Sequence, residues 1–489
     1  MSDFRLFSPE SQGVASKILI DMLDEFESEG VELHSAVISR HGKVIFEGYY
    51  APFSKEKVHR ICSAGKVLVS TATLFAVQEG LFGLQDLVLD LIPWAAPKEL
   101  SEFLKELTVW HLLTMSCGHE KDSYPEMEKA SPKRAEAFLK MPLVNRPGTA
   151  FLYDNGAPDM LAIIIKELTG LSISEFLRPR LFEPLELGDV RCAKNGDQDD
   201  LPTFCMTTRA LYKLTMLYAC GGLWNGKRIL NEELVKMASS PQIKIKEPGY
   251  GFYLWMNSVG GFRLQGGCGQ LGVVVPEWDM CFVCNANDED HTIMARIFFK
   301  HIKKALDAGQ ISDSALPENE AACNALWTRM QALTMAKKSL MLRNALGAKI
   351  AKCKLPEKFF GVDEIEIEVF DDGSARLRTN FERYPDNEVL IGFERWTECT
   401  VPFLFPEMRD PRQQRNFEDG FRLDTAVGFD NDKGFASGRW LSEKQYEVRF
   451  RSDGWMGGHI VTFCLDEKGG LMLSHMLTLA ECRAAKKKG

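Results

Sequence analysis

The chain has 489 residues, 45% of them hydrophobic and 26% charged, a composition that fills a large core and excludes disordered and fibrous classes. Its 68 acidic and 59 basic residues leave a formal charge of −9 spread along the chain, so it lacks the electrostatic footprint of a nucleic-acid-binding protein. The length exceeds what one hydrophobic core usually holds and points to two units, one of them large.

The N-terminal stretch MSDFRLFSPESQG has neither a basic n-region nor an apolar h-region. No apolar run reaches the roughly 18 residues of a membrane helix, so the expectation is a cytoplasmic protein with no membrane partner. The 13 cysteines follow no framework spacing, which in that compartment means reduced thiols. The terminal cluster Lys486 to Lys488 reads as a solvated tail.

Residues 14–29 carry apolar side chains at helical spacing (Val14, Ile18, Leu19, Met22, Leu23, Phe26), and Gly30 supplies a stop. Two β-rich runs around His41-Gly42 follow, with His41 as a turn residue. From Ser63 to Gly80 the alanine- and leucine-rich SAGKVLVSTATLFAVQEG predicts a buried helix. Further helices are expected over 105–115, 156–169 and 173–181, and short strands with glycine turns over 248–286. An alanine-, lysine- and methionine-rich stretch, 306–345, reads as a helical connector between a first domain, 1–305, and a C-terminal antiparallel β-domain, 346–489. That β-domain, which carries Trp396, Trp440 and Trp455, is expected to cap the cleft or mediate self-association.

Ser63-Ala64-Gly65-Lys66 sets a serine and a lysine three residues apart at the start of a helix, where their side chains can meet. Apolar neighbours disfavour a charged amine, and a neutral lysine can take a proton from the serine. The unpaired N–H groups of a helix start favour the negative charge that develops on a substrate oxygen in acyl transfer. Ser54-Lys55-Glu56-Lys57 has the same spacing but lies in a charged, solvated segment. By itself the motif is equally consistent with an N-cap serine beside a snorkelling lysine.

The surroundings separate these readings. HRICSAGKVLVSTATLFAVQEGLFGLQDLVLDLIPW, LTVWHLLTMSCGHE, PGTAFLYDNGAPDMLAIIIKELTG and GGLWNGKRIL, in that order, resemble successive blocks of the serine β-lactamase/penicillin-binding-protein superfamily and its class C-like esterase relatives. The likeness runs from about residue 35 to 286. It implies an α/β (α+β) β-lactamase/transpeptidase-like core, an antiparallel sheet packed by helices with a helical region, and a site at their junction. Tyr153-Asp154-Asn155 matches the Tyr-x-Asn motif, which implies that Tyr153 shares proton transfer with Lys66 and that Asn155 hydrogen-bonds the lysine or a substrate amide. A phenol is a poor base alone, but a neighbouring ammonium favours its phenolate.

The third motif, normally Lys-Thr-Gly or a His or Trp variant, falls on Leu264-Gln265-Gly266. The cation or ring that would meet a substrate carboxylate is absent, while the N–H of Gly267 remains in place to join that of Ser63 as an oxyanion hole. The resemblance therefore implies a serine hydrolase acting through an acyl-enzyme on a small ester or amide, with Ser63, Lys66 and Tyr153 catalytic and Asn155, Gln265, Gly266 and Gly267 lining the site. Two alternatives remain open: a true β-lactamase or D-Ala-D-Ala peptidase, and a catalytically silent binding module.

Gly267-Cys268-Gly269-Gln270-Leu271-Gly272 is a literal G-x-G-x-x-G, but VVVP follows it rather than a helix, so a nucleotide site is not expected. Cys281 and Cys284 lie on a predicted strand and point to opposite faces, which suits core thiols. His111 and His119 read as structural. No cofactor or metal is implied.

Overall fold

The protein was analysed as a computed structural model that describes residues 4–195, 198–246, 248–340, 349–359, 362–381, 384–400, 433–452, 458–465 and 471–477. α1 (Ser16–Ser28) buries the stripe anticipated from its spacing, and Gly30 follows at φ 68°. β1 (Leu33–Arg40) and β2 (Lys43–Tyr49) form a hairpin whose two loop residues, His41 and Gly42, have φ of 51° and 68°. Positive φ at both positions matches the strand twist in a tight hairpin.

β3 (His59–Arg60) leads through a 3-10 turn, Cys62–Gly65, into α2 (Lys66–Gln78), which is buried on every side from Lys66 to Ala76. α3 (Val109–Leu113), α4 (Gly156–Thr169) and α5 (Ile173–Leu177) come next. β4 (Cys205–Met206) pairs with β3, and α6 (Thr208–Ala219) returns the chain to the sheet. There β5 (Trp255–Met256), β6 (Phe262–Gly266), β7 (Gln270–Val275) and β8 (Met280–Ala286) complete six antiparallel strands in the order β2-β1-β8-β7-β6-β5. α7 (Ile293–Asp307) and α8 (Glu320–Gln331) close this part of the chain.

Alternation along the strands builds two cores from one sheet. Ile38, Val273, Phe282 and Cys284 pack with α1, α7 and Leu326 of α8, whereas Val37, Val274, Cys281 and Val283 pack with α2, α4 and α6. The second face carries the site. Cys281 and Cys284 accordingly fall on opposite faces, and burial raises both thiols well above the ordinary range.

Three helical expectations differ in detail. Over 105–115 the helix begins only at Val109, because Thr108 is extended and forms a capping box with His111. α5 ends at Leu177 and a π-type turn, Arg178–Phe182, follows, where Pro179 cannot donate to the preceding carbonyls. The stretch 306–345 is not one helix: Gly309, at φ 67°, follows the end of α7, and α8 packs Leu326 into the core, while 341–348 lie outside the described residues.

The C-terminal strands are β9 (Lys349–Phe359), β10 (Val362–Val369), β11 (Ala375–Phe381), β12 (Tyr384–Phe393), β13 (Thr397–Thr400), β14 (Lys433–Ser442), β15 (Gln445–Ser452), β16 (Gly458–Leu465) and β17 (Leu471–Leu477). They form a nine-stranded curled sheet whose first and last strands approach each other. One face is apolar at every second residue (Ile365, Ile367, Val369; Val448, Phe450), as strand periodicity requires. The pairing is antiparallel except between β12 and β14, which run parallel at Gly392↔Ser437; the long intervening chain supplies the crossover that parallel strands need. No helix among the described residues is long and apolar enough to cross a membrane.

Candidate active site

Ser63 stands in the 3-10 turn rather than in the helix it precedes. Cys62 before it adopts φ 49°, a left-handed conformation that a side chain rarely takes. The turn is held from two directions. The Ile61 N–H donates to the Phe204 carbonyl at 2.9 Å, and the end of β6 presses against the other side. A Cβ at Gly266 would sit 2.2 Å from the Ile61 carbonyl oxygen and 3.1 Å from the Ala64 nitrogen, so this approach requires glycine.

Lys66, the first residue of α2 and only 7% exposed, donates from Nζ to Ser63 Oγ at 2.9 Å. The same nitrogen lies 5.0 Å from the centroid of the Tyr153 ring. Tyr153 is oriented by Trp255 of β5, whose ring is stacked on it at 5.9 Å and 21°. Tyr250 meets Trp255 edge-on at 4.9 Å, and burial holds the Tyr250 hydroxyl well above the ordinary phenol range. Lys66 of α2 thus meets Ser63 Oγ and lies beside the Tyr153 ring, which brings together the three residues that the sequence motifs grouped.

Asp154 anchors the loop between them. It accepts from Ser123 N–H (2.9 Å), Ser123 Oγ (2.6 Å), His119 Nδ1 (2.9 Å) and Gly156 N–H (3.0 Å). Those bonds hold its carboxyl below the usual carboxylate range against the opposing effect of burial. Asn155 is anchored by Asp122. Its Nδ2 and backbone N–H donate to Asp122 at 2.8 and 2.9 Å. A carboxylate only accepts, so the carbonyl end of the amide is turned away from Asp122.

On the sheet side Leu264 is fully buried in the core, and its neighbour Gln265 is half-buried with Oε1 accepting from Arg263 Nε at 2.7 Å. Gly266 ends β6. Gly267 follows, where an added Cβ would lie 4.0 Å from Cys62 Cβ, an ordinary contact, and Gln270 Nε2 fixes the turn through the Gly267 and Ala286 carbonyls at 3.1 and 2.7 Å. The glycine-rich run is therefore a hairpin turn entering β7, not a helix start. His111 accepts from the Thr108 N–H at 3.0 Å in its capping box, and burial lowers it to about 4.

Trp255 and Asp122 escaped the sequence reading. One lies on a two-residue strand and the other in a loop, both too short to show a period, and what they do depends on a partner far away in the chain.

The family description "Beta-lactamase" matches residues 23–296, more than half of the chain. The chain belongs to the Beta-lactamase family. Among curated proteins, this family member is 26% identical to a lovastatin esterase of Penicillium rubens over 170 residues, 30% of this chain and 42% of that one. It is 23% identical to an uncharacterized protein of Alkalihalophilus pseudofirmus over 297 residues, 51% of this chain and 82% of that one. The chain thus spans less than half the length of the esterase it matches. A solved structure from Bacillus anthracis, named for 6-aminohexanoate-dimer hydrolase activity, shares the fold with a TM-score of 0.50 at 18% identity, over 64% of this chain and 88% of that one.

Proposed function

We propose that the protein is a serine hydrolase that cleaves a small ester or amide through an acyl-enzyme, with Ser63 as nucleophile, Lys66 as general base and Tyr153 as the group that passes the proton to the leaving group. The observation that carries this reading is the 2.9 Å contact between Lys66 Nζ and Ser63 Oγ on a glycine-backed turn. A base within hydrogen-bond reach of a hydroxyl is the geometric requirement for activating it.

In this reading Ser63 Oγ attacks the carbonyl carbon as its proton moves to Lys66. The oxyanion forms toward the N–H groups of Ser63 and Gly267, which the close approach of β6 supports. Tyr153, beside the newly charged ammonium, gives its phenol proton to the departing alcohol or amine and takes the proton of Lys66 in return; water then gives a proton to the freed Lys66 as it attacks the acyl carbon, and that proton returns to Ser63 Oγ as the acid leaves. Asn155, Gln265 and Gly266 line the substrate side. The buried Leu264 offers no cation to a substrate carboxylate, and the relative named an esterase favours a neutral ester over a lactam.

The test is intact mass after incubation with a fluorophosphonate probe. Wild type should gain one probe adduct and Ser63→Ala none; an unlabelled wild type would return the protein to the class of binding modules. Fast turnover of a chromogenic cephalosporin would replace the ester preference with a lactamase.

A further inference from the structure

The C-terminal sheet meets the Beta-lactamase part of the chain through a line of buried polar groups that ends at the Ser63 turn. Arg451 of β15, with its side chain 3% exposed, places Nη2 2.7 Å from Glu32 Oε1. Glu32, just before β1, also accepts from Asn287 Nδ2 at 2.9 Å and lies 3.4 Å from His34 Nε2. His34 is fully buried, stacked on Phe53 at 4.1 Å and 15°, and its Nδ1 is 2.8 Å from His59 Nε2. His59 Nδ1 in turn lies 2.8 Å from the Arg60 carbonyl, on the two-residue strand that runs into the turn.

Counting protons gives the contacts nearest the turn a direction. A carbonyl only accepts, so His59 Nδ1 carries hydrogen. Burial, reinforced by His34, lowers His59 to about 3, so the ring is neutral at ordinary pH and its Nε2 accepts. His34 Nδ1 must then donate, and the Arg60 carbonyl sets the tautomer of both rings. Glu32, held down to about 2 with Arg451 as the largest favourable influence against burial, stays a carboxylate packed 3.4 Å from the bare Nε2 of His34. The line from Arg451 to the backbone at Arg60 is thus continuous in contact, with its hydrogen bonds running from the turn to His34 and from Arg451 to Glu32.

The segment that receives this order needs external support. β3 is two residues long, and Cys62 is held at φ 49°, a strained conformation that persists only where the surroundings over-determine it. We propose that Arg451, Glu32, His34 and His59 act as positioning residues for Ser63, so that the C-terminal sheet braces the acyl-transfer site. The inference rests on Ser63 being the nucleophile.

The test uses the full chain carrying Arg451→Met, which keeps length and removes charge, with Arg451→Lys and His59→Gln as companions. The maximal rate of fluorophosphonate acylation should fall about tenfold in Arg451→Met and His59→Gln at an unchanged half-saturating probe concentration, and recover in part in Arg451→Lys. Ring-nitrogen NMR should show His59 in the Nδ1–H tautomer in wild type and a changed His34 and His59 signature in Arg451→Met. Wild-type acylation rate in Arg451→Met, or histidine signals that ignore the substitution, would overturn the brace. Failure of the wild type to acylate at all would instead sink the nucleophile assignment, and the NMR comparison would still decide whether the polar line exists.

Discussion

The two walls of the site are built on different principles. On the Ser63 wall the chemistry lies in side chains: a hydroxyl, an amine and a phenol brought together by α2, a loop and β5. On the β6 wall it lies in the backbone, and the decisive residue, Gly266, is one without a side chain. A wall made of side chains tolerates no change of residue type. A wall made of backbone donors tolerates many, and in the proposed reaction Leu264-Gln265 can stand where a cation or an aromatic ring is usual because the donors belong to the main chain.

This contrast can be broken by substitution on either side. Lys66→Met, nearly isosteric but unable to take a proton, should lower the acylation rate by about 10²–10⁴-fold while the protein stays folded, measured by probe labelling and circular dichroism. Gly266→Ala should act on both function and fold, because the new methyl meets the Ile61 carbonyl and the turn must shift; about a tenfold loss of acylation and about 1–3 kcal/mol of stability are expected from denaturant titration. If Gly266→Ala is as active as wild type, the backbone wall does not do what is claimed for it.

A pH dependence that leaves the reacting groups untouched sharpens the comparison further. His59 sits on the side-chain wall with a folded value of about 3 against an ordinary 6.5, because burial opposes its charge. Between those values the unfolded chain binds the extra proton, so the stability that the neutral ring permits is present above 6.5 and is lost as pH falls toward 3. Unfolding free energy should therefore decline in this window by about 1.4 kcal/mol per pH unit more than in His59→Gln, measured by denaturant titration at several pH values.

Much of this was legible in the chain. The stripe of α1, the His41-Gly42 hairpin and the buried α2 follow from periods and turn chemistry that act within a few residues. Motifs grouped Ser63, Lys66 and Tyr153, which the structure sets beside one another, and the strand period set Cys281 and Cys284 on opposite faces. Legibility ended where geometry depends on a distant partner. Asn155 turns to Asp122, Tyr153 leans on Trp255, and Ser63 occupies a 3-10 turn because Phe204 and Gly266 grip the residues around it.

By itself, then, the sequence determined which residue types could perform acyl transfer and which elements would carry them, since propensity, periodicity and side-chain chemistry are local properties. Only the tertiary structure decided how those groups are aimed. Contacts such as Arg451 to Glu32 and His34 to His59, and the close approach of β6 to the Ser63 turn, join segments far apart in the chain, and their directions are set by packing that no local pattern encodes.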